Sequence, residues 1–410
     1  MKKNSKLLMT ALMMAAAMGA GLASCTTEDV EDTAVNGGQN AAKYIGYGIN
    51  VNSNGSTRGT ATTLSNFEVD DNTFMVWGYY STDATGSGVT PGALYVGTSN
   101  TVGTVIKYTS PSWDYNDAAD KKLWPVETAK LNFQAVSPHA YGTIINTPAD
   151  GIACLGMTVT VPTAVASQQD VIFGHAEEKT YTSNATVVPL TFEHALSQVV
   201  FQGKVAEAGI TATIKGVKVC NVHNTANVGF LGARYVDDNG TAEDPSDDVT
   251  TQRRLLGVSG IAATTDKFPI GMYGAADVVL TSTTATDLCA SDGALMMIPQ
   301  NGLTAWDPAT PATKTITLAD AAGQTYLEVE CKIKYTDLDS YIWGSADAYA
   351  KIYVPFTVDW AIGKKYTYVL NFGSGQGGYD EDGNAAMNFI SYSVASVQAW
   401  DDVAGPEYTF

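Results

Sequence analysis

Gly373-Ser-Gly375-Gln-Gly-Gly378 fits the string G-x-G-x-x-G and follows an alternating apolar run, so phosphate chemistry is the first possibility to weigh. Such a loop cradles a pyrophosphate only when a helix starts directly after it and turns its N–H groups on the anion. Here Tyr379-Asp-Glu-Asp-Gly383 follows instead, which puts acids where phosphates would sit, and a hairpin loop is the better reading. Asp380, Asp382 and Asn384 offer oxygen ligands at alternate positions, but without the downstream bidentate Glu that an EF-hand requires. The acid-rich stretch from Asp237 to Asp248 is a second place for calcium; turn chemistry and solvation account for both. His139, His175, His194 and His223 share no motif, and neither G-x-S-x-G nor H-E-x-x-H occurs. The expectation is a protein that is not an enzyme and carries no cofactor and no resident metal.

Covalent chemistry is legible at the start of the chain. Lys2, Lys3 and Lys6 precede an apolar run from Leu7 to Leu22, shorter than a membrane span and ending in small residues. Leu22-Ala23-Ser24-Cys25 matches a lipobox, so residues 1–24 read as a lipoprotein signal peptide and Cys25 as the acylated first residue of the mature chain. Several acyl chains on that cysteine would anchor the protein durably in the outer membrane. The acids Glu28, Asp29, Glu31 and Asp32 then form an acidic tether. It resembles the signal exporting lipoproteins of the Bacteroides group to the outer face of the outer membrane, the alternative being a plain solvated tether. The remaining Cys154, Cys220, Cys289 and Cys331 lack metal-ligand spacing and read either as buried thiols or as one or two disulfides.

A third chemistry is proteolysis. Arg58-Gly59 follows the polar run Asn52-Ser-Asn-Gly-Ser-Thr57, and Arg58 is the only arginine before Arg234. A lone arginine in a Gly- and Ser-rich loop suits an Arg-specific protease. The pair Arg253-Arg254 is a competing site. Just before Arg58, Ile45, Tyr47, Ile49 and Val51 alternate with small and polar residues, the apolar face of one strand. Loss of that strand after a cut would open an apolar groove between unpaired strand edges, a template for a strand of another molecule. Ile390, Tyr392 and Val394, with Val397 and Trp400 beyond, form a candidate donor.

The elements that must position these residues read as β throughout. Ile352, Val354, Phe356, Val358 and Trp360 alternate with polar or small neighbours, and Tyr366, Tyr368, Leu370 and Phe372 do the same. Ile210, Ala212 and Ile214 change register to Val217 and Val219 at Gly216, where a bulge fits. Met157 to Val161 runs into Pro162. With 39 glycines, 21 tyrosines and only 16% charged residues, no long amphipathic helix and frequent turn clusters, the composition suits β-sandwiches. A formal charge of -19 argues against nucleic acid or anionic lipid as a partner.

Several stretches, in order, resemble the Bacteroides-type fimbrillins. They are the lipobox, the strand with Thr57-Arg58, Phe74-Met-Val-Trp77-Gly-Tyr-Tyr80, Trp124-Pro125 and Leu131 to Pro138. Gln168-Gln-Asp170, Leu190 to Ser197 and Trp360 to Phe372 complete the set. The resemblance implies an all-β fold of two tandem transthyretin-like β-sandwich domains behind the signal peptide. Residues 25–58 would be the tether and removable first strand, 59–187 the first domain, and 188–410 the second with the donor strand. It also implies a fimbrial (pilus) subunit that supports adhesion, cut after Arg58 and joined head-to-tail to other subunits by donor-strand exchange. The cut subunit would carry a charge of about -20, so salt should speed its assembly. The alternatives are a tip adhesin, an anchor subunit that keeps its lipid, or a glycan-binding lipoprotein. For these, Trp113, Tyr115, Trp306, Tyr341 and Trp343 could form a platform for a surface receptor.

Overall fold

The computed structural model describes residues 43–399 except 52–61, 127, 148–153, 182–186, 232–233, 238–248, 263–265, 273–276, 291–292, 339, 374–376 and 387–389. The signal peptide, Cys25, Arg58, Gly59, Trp400 and nearly all of the acid-rich stretch therefore lie outside the described residues.

The first part of the chain supplies ten strands: β1 (Gly46–Val51), β2 (Thr73–Tyr80), β3 (Leu94–Val96), β4 (Thr104–Thr109), β5 (Ser112–Tyr115), β6 (Leu131–Ser137), β7 (Thr143–Asn146), β8 (Leu155–Thr160), β9 (Ile172–Lys179) and β10 (Val187–His194). A single-turn helix, α1 (Leu64–Phe67), sits between β1 and β2 and is capped by the Thr63 side chain. Eight of these strands form one sheet in the order β3-β2-β4-β5-β1-β10-β9-β6, and β2 also pairs with β6. That extra pairing returns the sheet on itself, so the β-layers of this part share no open side between β2 and β6. Alternation along the strands sends Phe74, Val76, Ile106, Phe133, Ala135, Leu190 and Phe192 into one core.

The later strands are β11 (Ser197–Val205), β12 (Ile210–Cys220), β13 (Thr225–Gly229), β14 (Arg234–Asp237), β15 (Val249–Arg254), β16 (Gly257–Ala262), β17 (Lys267–Pro269), β18 (Val278–Leu280), β19 (Thr286–Asp287), β20 (Leu295–Met297), β21 (Tyr326–Tyr335), β22 (Tyr341–Trp343), β23 (Ala350–Pro355), β24 (Lys364–Phe372) and β25 (Ile390–Ala399). Two sheets carry the second core. One runs β19-β11-β24-β25 with β20 also on β11; the other runs β17-β12-β21-β22 with β18 on β12 and β23 on β21. Phe201, Tyr368, Leu370 and Ile390 of the first pack with Ile214, Val219, Val329 and Val354 of the second. The helix α2 (Ile316–Ala322) belongs to a smaller cluster with Trp306, Tyr326 and Tyr353.

The fold is all-β, as the composition and periodicity led us to expect. The register change at Gly216 is present, between Ile214 and Gly216 where β12 faces β21. Connections between the two parts run deep. β10 spans the expected junction near Val188 and belongs to the first sheet, whereas β11 opens the second. A further sheet, β16-β13-β8-β7, joins strands from both sides of that position. No helix among the described residues is long and apolar enough to cross a membrane.

Candidate functional site: the slot of the first strand

β1 is an interior strand although it stands at the start of the described chain. Its neighbour on one side is β10, parallel, with six residues in register from Gly46 opposite Val187 to Val51 opposite Phe192. On the other side is β5, met at the single pair Tyr47 and Trp113. Before the strand, the Ile45 amide donates to the Lys122 carbonyl at 2.8 Å and the Trp124 amide to the Lys43 carbonyl at 2.9 Å.

The four apolar residues expected on one face are there. Ile45, Tyr47 and Val51 are buried and Ile49 is partly buried against the same core. Tyr47 is the centre of the arrangement. Its ring meets Phe74, Tyr115 and Phe133 edge-on, with centroids 6.2, 5.8 and 6.1 Å away. Burial pushes its phenol well above the ordinary tyrosine value, and the Tyr115 phenol beside it adds to the effect. The Tyr115 hydroxyl donates to the Ile45 carbonyl at 2.9 Å. Together the four side chains contribute on the order of 6–12 kcal/mol of apolar burial as an upper estimate.

The far end of the slot is closed by α1. Phe67 lies 4.9 Å from Trp113 and 5.4 Å from Phe192, centroid to centroid. The residues just before α1 are tied to β10 by a buried carboxylate. Oδ2 of Asp170 accepts the Thr62 amide at 2.8 Å and lies 2.8 Å from Nδ1 of His194, the last residue of β10. Chain on both sides of residues 52–61 is thus held by named contacts.

β25, which carries the candidate donor residues, is an edge strand whose one neighbour among the described residues is β24. It is antiparallel to β24, with a register shift that leaves Ala395 unpaired between Val394 and Ser396. Ile390 is fully buried and Tyr392 half-buried, with its ring 5.3 Å from Phe356 and its hydroxyl accepting the Thr357 amide at 3.0 Å. Val394 and Val397 are 45% and 55% exposed. The G-x-G-x-x-G string falls in the connection between antiparallel β24 and β25.

Other sequence candidates separate. Arg253 and Arg254 lie in β15, whose backbone is paired with β14. Asp380 uses Oδ1 to accept the amides of Asp382 and Asn384 and Oδ2 to accept the Asn384 side-chain amide, a self-contained turn. No group of three potential metal ligands occurs among the described residues. The four cysteines among the described residues are thiols, with Cys154 half-buried and the others buried. Of the proposed aromatic platform, Trp113, Tyr115 and Trp306 are core residues, while Tyr341 and Trp343 stay half-exposed on β22. The roles of Trp113 and Tyr115 in the slot were missed; the alternation Ser112-Trp113-Asp114-Tyr115, buried at every second residue, was the available signal. The Asp170–His194 pair was also missed, because no local spacing joins residues 24 apart.

A family model described as fimbrillin-like matches residues 57–388. The chain is similar in structure to a fimbrial protein from Bacteroides vulgatus, with 20% identity, 87% of this chain and 99% of that one covered, and a TM-score of 0.53. It also aligns with a proposed cell adhesion protein from Bacteroides ovatus at 12% identity, covering 89% and 100% of the two chains, with a TM-score of 0.44. The tip fimbrial protein Mfa3 from Porphyromonas gingivalis aligns at 8% identity over 82% and 96% of the chains, with a TM-score of 0.33. A search of curated proteins finds no match.

Proposed function

Because the chain belongs to the fimbrillin-like family, we propose that it is a structural subunit of a cell-surface fimbria that supports adhesion. In this reading it is exported as an outer membrane lipoprotein through Cys25 and cut after Arg58 by an Arg-specific protease. The segment carrying β1 then leaves, and a strand from a neighbouring subunit takes its slot.

One observation carries the reading: β1, the first strand described, is seated between β5 and β10, and Arg58 follows seven residues after its last residue. A strand in an interior position is the arrangement from which strand removal exposes most. It would bare the β10 edge from Val187 to Phe192 and the aromatic floor of Phe74, Tyr115 and Phe133. The family match begins at residue 57, after β1, and ends at 388, before β25, so the two strands assigned to the exchange are its two overhangs.

The test is treatment of the folded protein with an Arg-specific protease, read by intact mass and by size. The expected result is first cleavage at Arg58, since Arg253 and Arg254 sit in a paired strand, followed by growth of high-mass polymer. A clean cut at Arg58 that leaves a monomer overturns the stalk role. It would favour the second reading, a non-polymerising tip or anchor subunit, which the seating of β25 on its own β24 supports.

A further inference from the structure

The segment Ile45 to Val51, which contains β1, and β25 carry nearly the same apolar pattern. Ile45-Gly-Tyr47-Gly-Ile49 corresponds to Ile390-Ser-Tyr392-Ser-Val394, position for position. Beyond this point β1 continues Asn50-Val51, whereas β25 continues Ala395-Ser396-Val397. The one-residue difference is the residue that β25 already bulges against β24, Ala395. With Ala395 set aside, Ser396 falls on Asn50 and Val397 on Val51. All four apolar positions of β1 are then matched in order, and the only change of size is Ile49 to valine.

We propose that the register of assembly is fixed by this match: in the slot of β1, a second copy of the chain places Tyr392 where Tyr47 was, with Ile390, Val394 and Val397 in the places of Ile45, Ile49 and Val51. The inference rests on the strand-exchange reading above and adds the alignment, the direction and the anchoring residue.

The slot itself argues for this alignment. The site of Tyr47 is lined by Phe74, Tyr115 and Phe133, and an aromatic ring fills it edge-on to all three. Tyr392 is the one aromatic residue within β25 as described, so any shift of two residues puts Ile390 or Val394 there and leaves the site underfilled. A shift of one residue turns the apolar face to solvent. On the opposite face, Gly48 has room for a side chain. A Cβ built on Gly48 would lie 3.5 Å from Cγ2 of Val187, an ordinary contact, so Ser393 is accommodated at that place. Direction follows as well, because β1 runs parallel to β10 and residues matched in order must run the same way. At home β25 has one neighbouring strand and two valines about half exposed; in the slot it has two neighbours. The move uncovers Phe356, so β25 serves as its own subunit's cover until a slot opens.

Cysteine pairs test the register in the full chain. In register, Cβ of residue 393 would lie about 3.8 Å from Cβ of Val187, the distance that holds for a Cβ on Gly48 and one that suits a disulfide. Residue 396, at the place of Asn50, would lie one strand repeat farther along and out of reach. We would place Val187→Cys with Ser393→Cys, and separately with Ser396→Cys, in a Cys154→Ser background, then cut with an Arg-specific protease and oxidise. The expected result is a disulfide ladder on a non-reducing gel for the Ser393 pair and none for the Ser396 pair. A ladder from the Ser396 pair, or filaments that cross-link with neither, overturns the register while leaving strand exchange standing. Absence of any filament from the cut parent chain overturns both. Since both substituted serines and Val187 are at least partly exposed, folding of the uncut variants is checked by their unchanged melting.

Discussion

The hydroxyl of Tyr115 donates to the backbone carbonyl of Ile45 across 2.9 Å, inside the core and between segments 70 residues apart. This bond fastens the entry of β1 to β5, on the side where the two strands share one residue pair. Replacing Tyr115 by Phe keeps the ring and leaves that buried carbonyl without its donor. The uncut protein should lose about 1–3 kcal/mol of stability by urea unfolding. A change below about 0.5 kcal/mol, the range of an ordinary surface substitution, would show that the bond does not hold β1.

Asp170 holds the chain downstream of Arg58 to the end of β10. Its Oδ2 serves both the Thr62 amide and the His194 ring, each at 2.8 Å, and its side chain is 1% exposed. Asp170→Ala removes the acceptor from the buried His194 ring and the partly buried Thr62 amide at once and should cost about 2–4 kcal/mol. Asp170→Asn retains an acceptor oxygen and should recover part of the loss. Equal losses for the two variants in urea titrations would mean that packing, not the acceptor, accounts for the effect.

Glu328 should give the protein an acid-sensitive contribution. Its carboxylate is 4% exposed and lies 2.8 Å from Lys218, 3.2 Å from Lys351 and 3.5 Å from Lys267. Burial pushes its carboxyl up, but the Lys218 and Lys351 ammonium groups outweigh that and hold it below the usual value. A carboxyl lowered in the folded state stabilises above its unfolded pKa, about 4.3, and that stabilisation disappears as pH falls through the lower folded value. The melting difference between the parent and Glu328→Gln should be full at neutral pH and shrink as pH drops below about 4. A difference that stays constant down to acid pH would refute the linkage.

Thiol chemistry should separate the cysteines. Burial pushes the Cys220 thiol up to about 12 and Cys289 up to about 11, and raises Cys331 as well. All three are buried, whereas Cys154 is half-buried. Among these four, a thiol reagent at neutral pH should label Cys154 first, and the other three only at the rate of unfolding. Prompt labelling of Cys220, Cys289 or Cys331 in the native state would contradict their burial.

Strand character was legible because it depends on neighbours in sequence. The alternation of Ile45, Tyr47, Ile49 and Val51 needs only one buried face, and Gly216 marks its own bulge by breaking a period of two. Partner choice was not legible. Nothing near Tyr47 states that Val188 lies beside it and Trp113 opposite, because parallel pairing across about 140 residues leaves no local mark. The same holds for Trp306, whose ring faces Tyr326, Tyr353 and Tyr379 from a segment of irregular backbone. Exposed and buried tryptophans look alike until the covering element is known.

The unequal seams of β1 also give its slot a mechanical direction. Against β10 the hydrogen-bonded rungs run along six consecutive residues in parallel register, while against β5 there is a single bridge. Tension along the strand axis would strain all six rungs together, as in shearing a lap joint. Tension across it at one end would part them one after another, because the β5 side adds only a single bridge. A strand seated in that slot should grip hard against a lengthwise pull and peel readily from a sideways one.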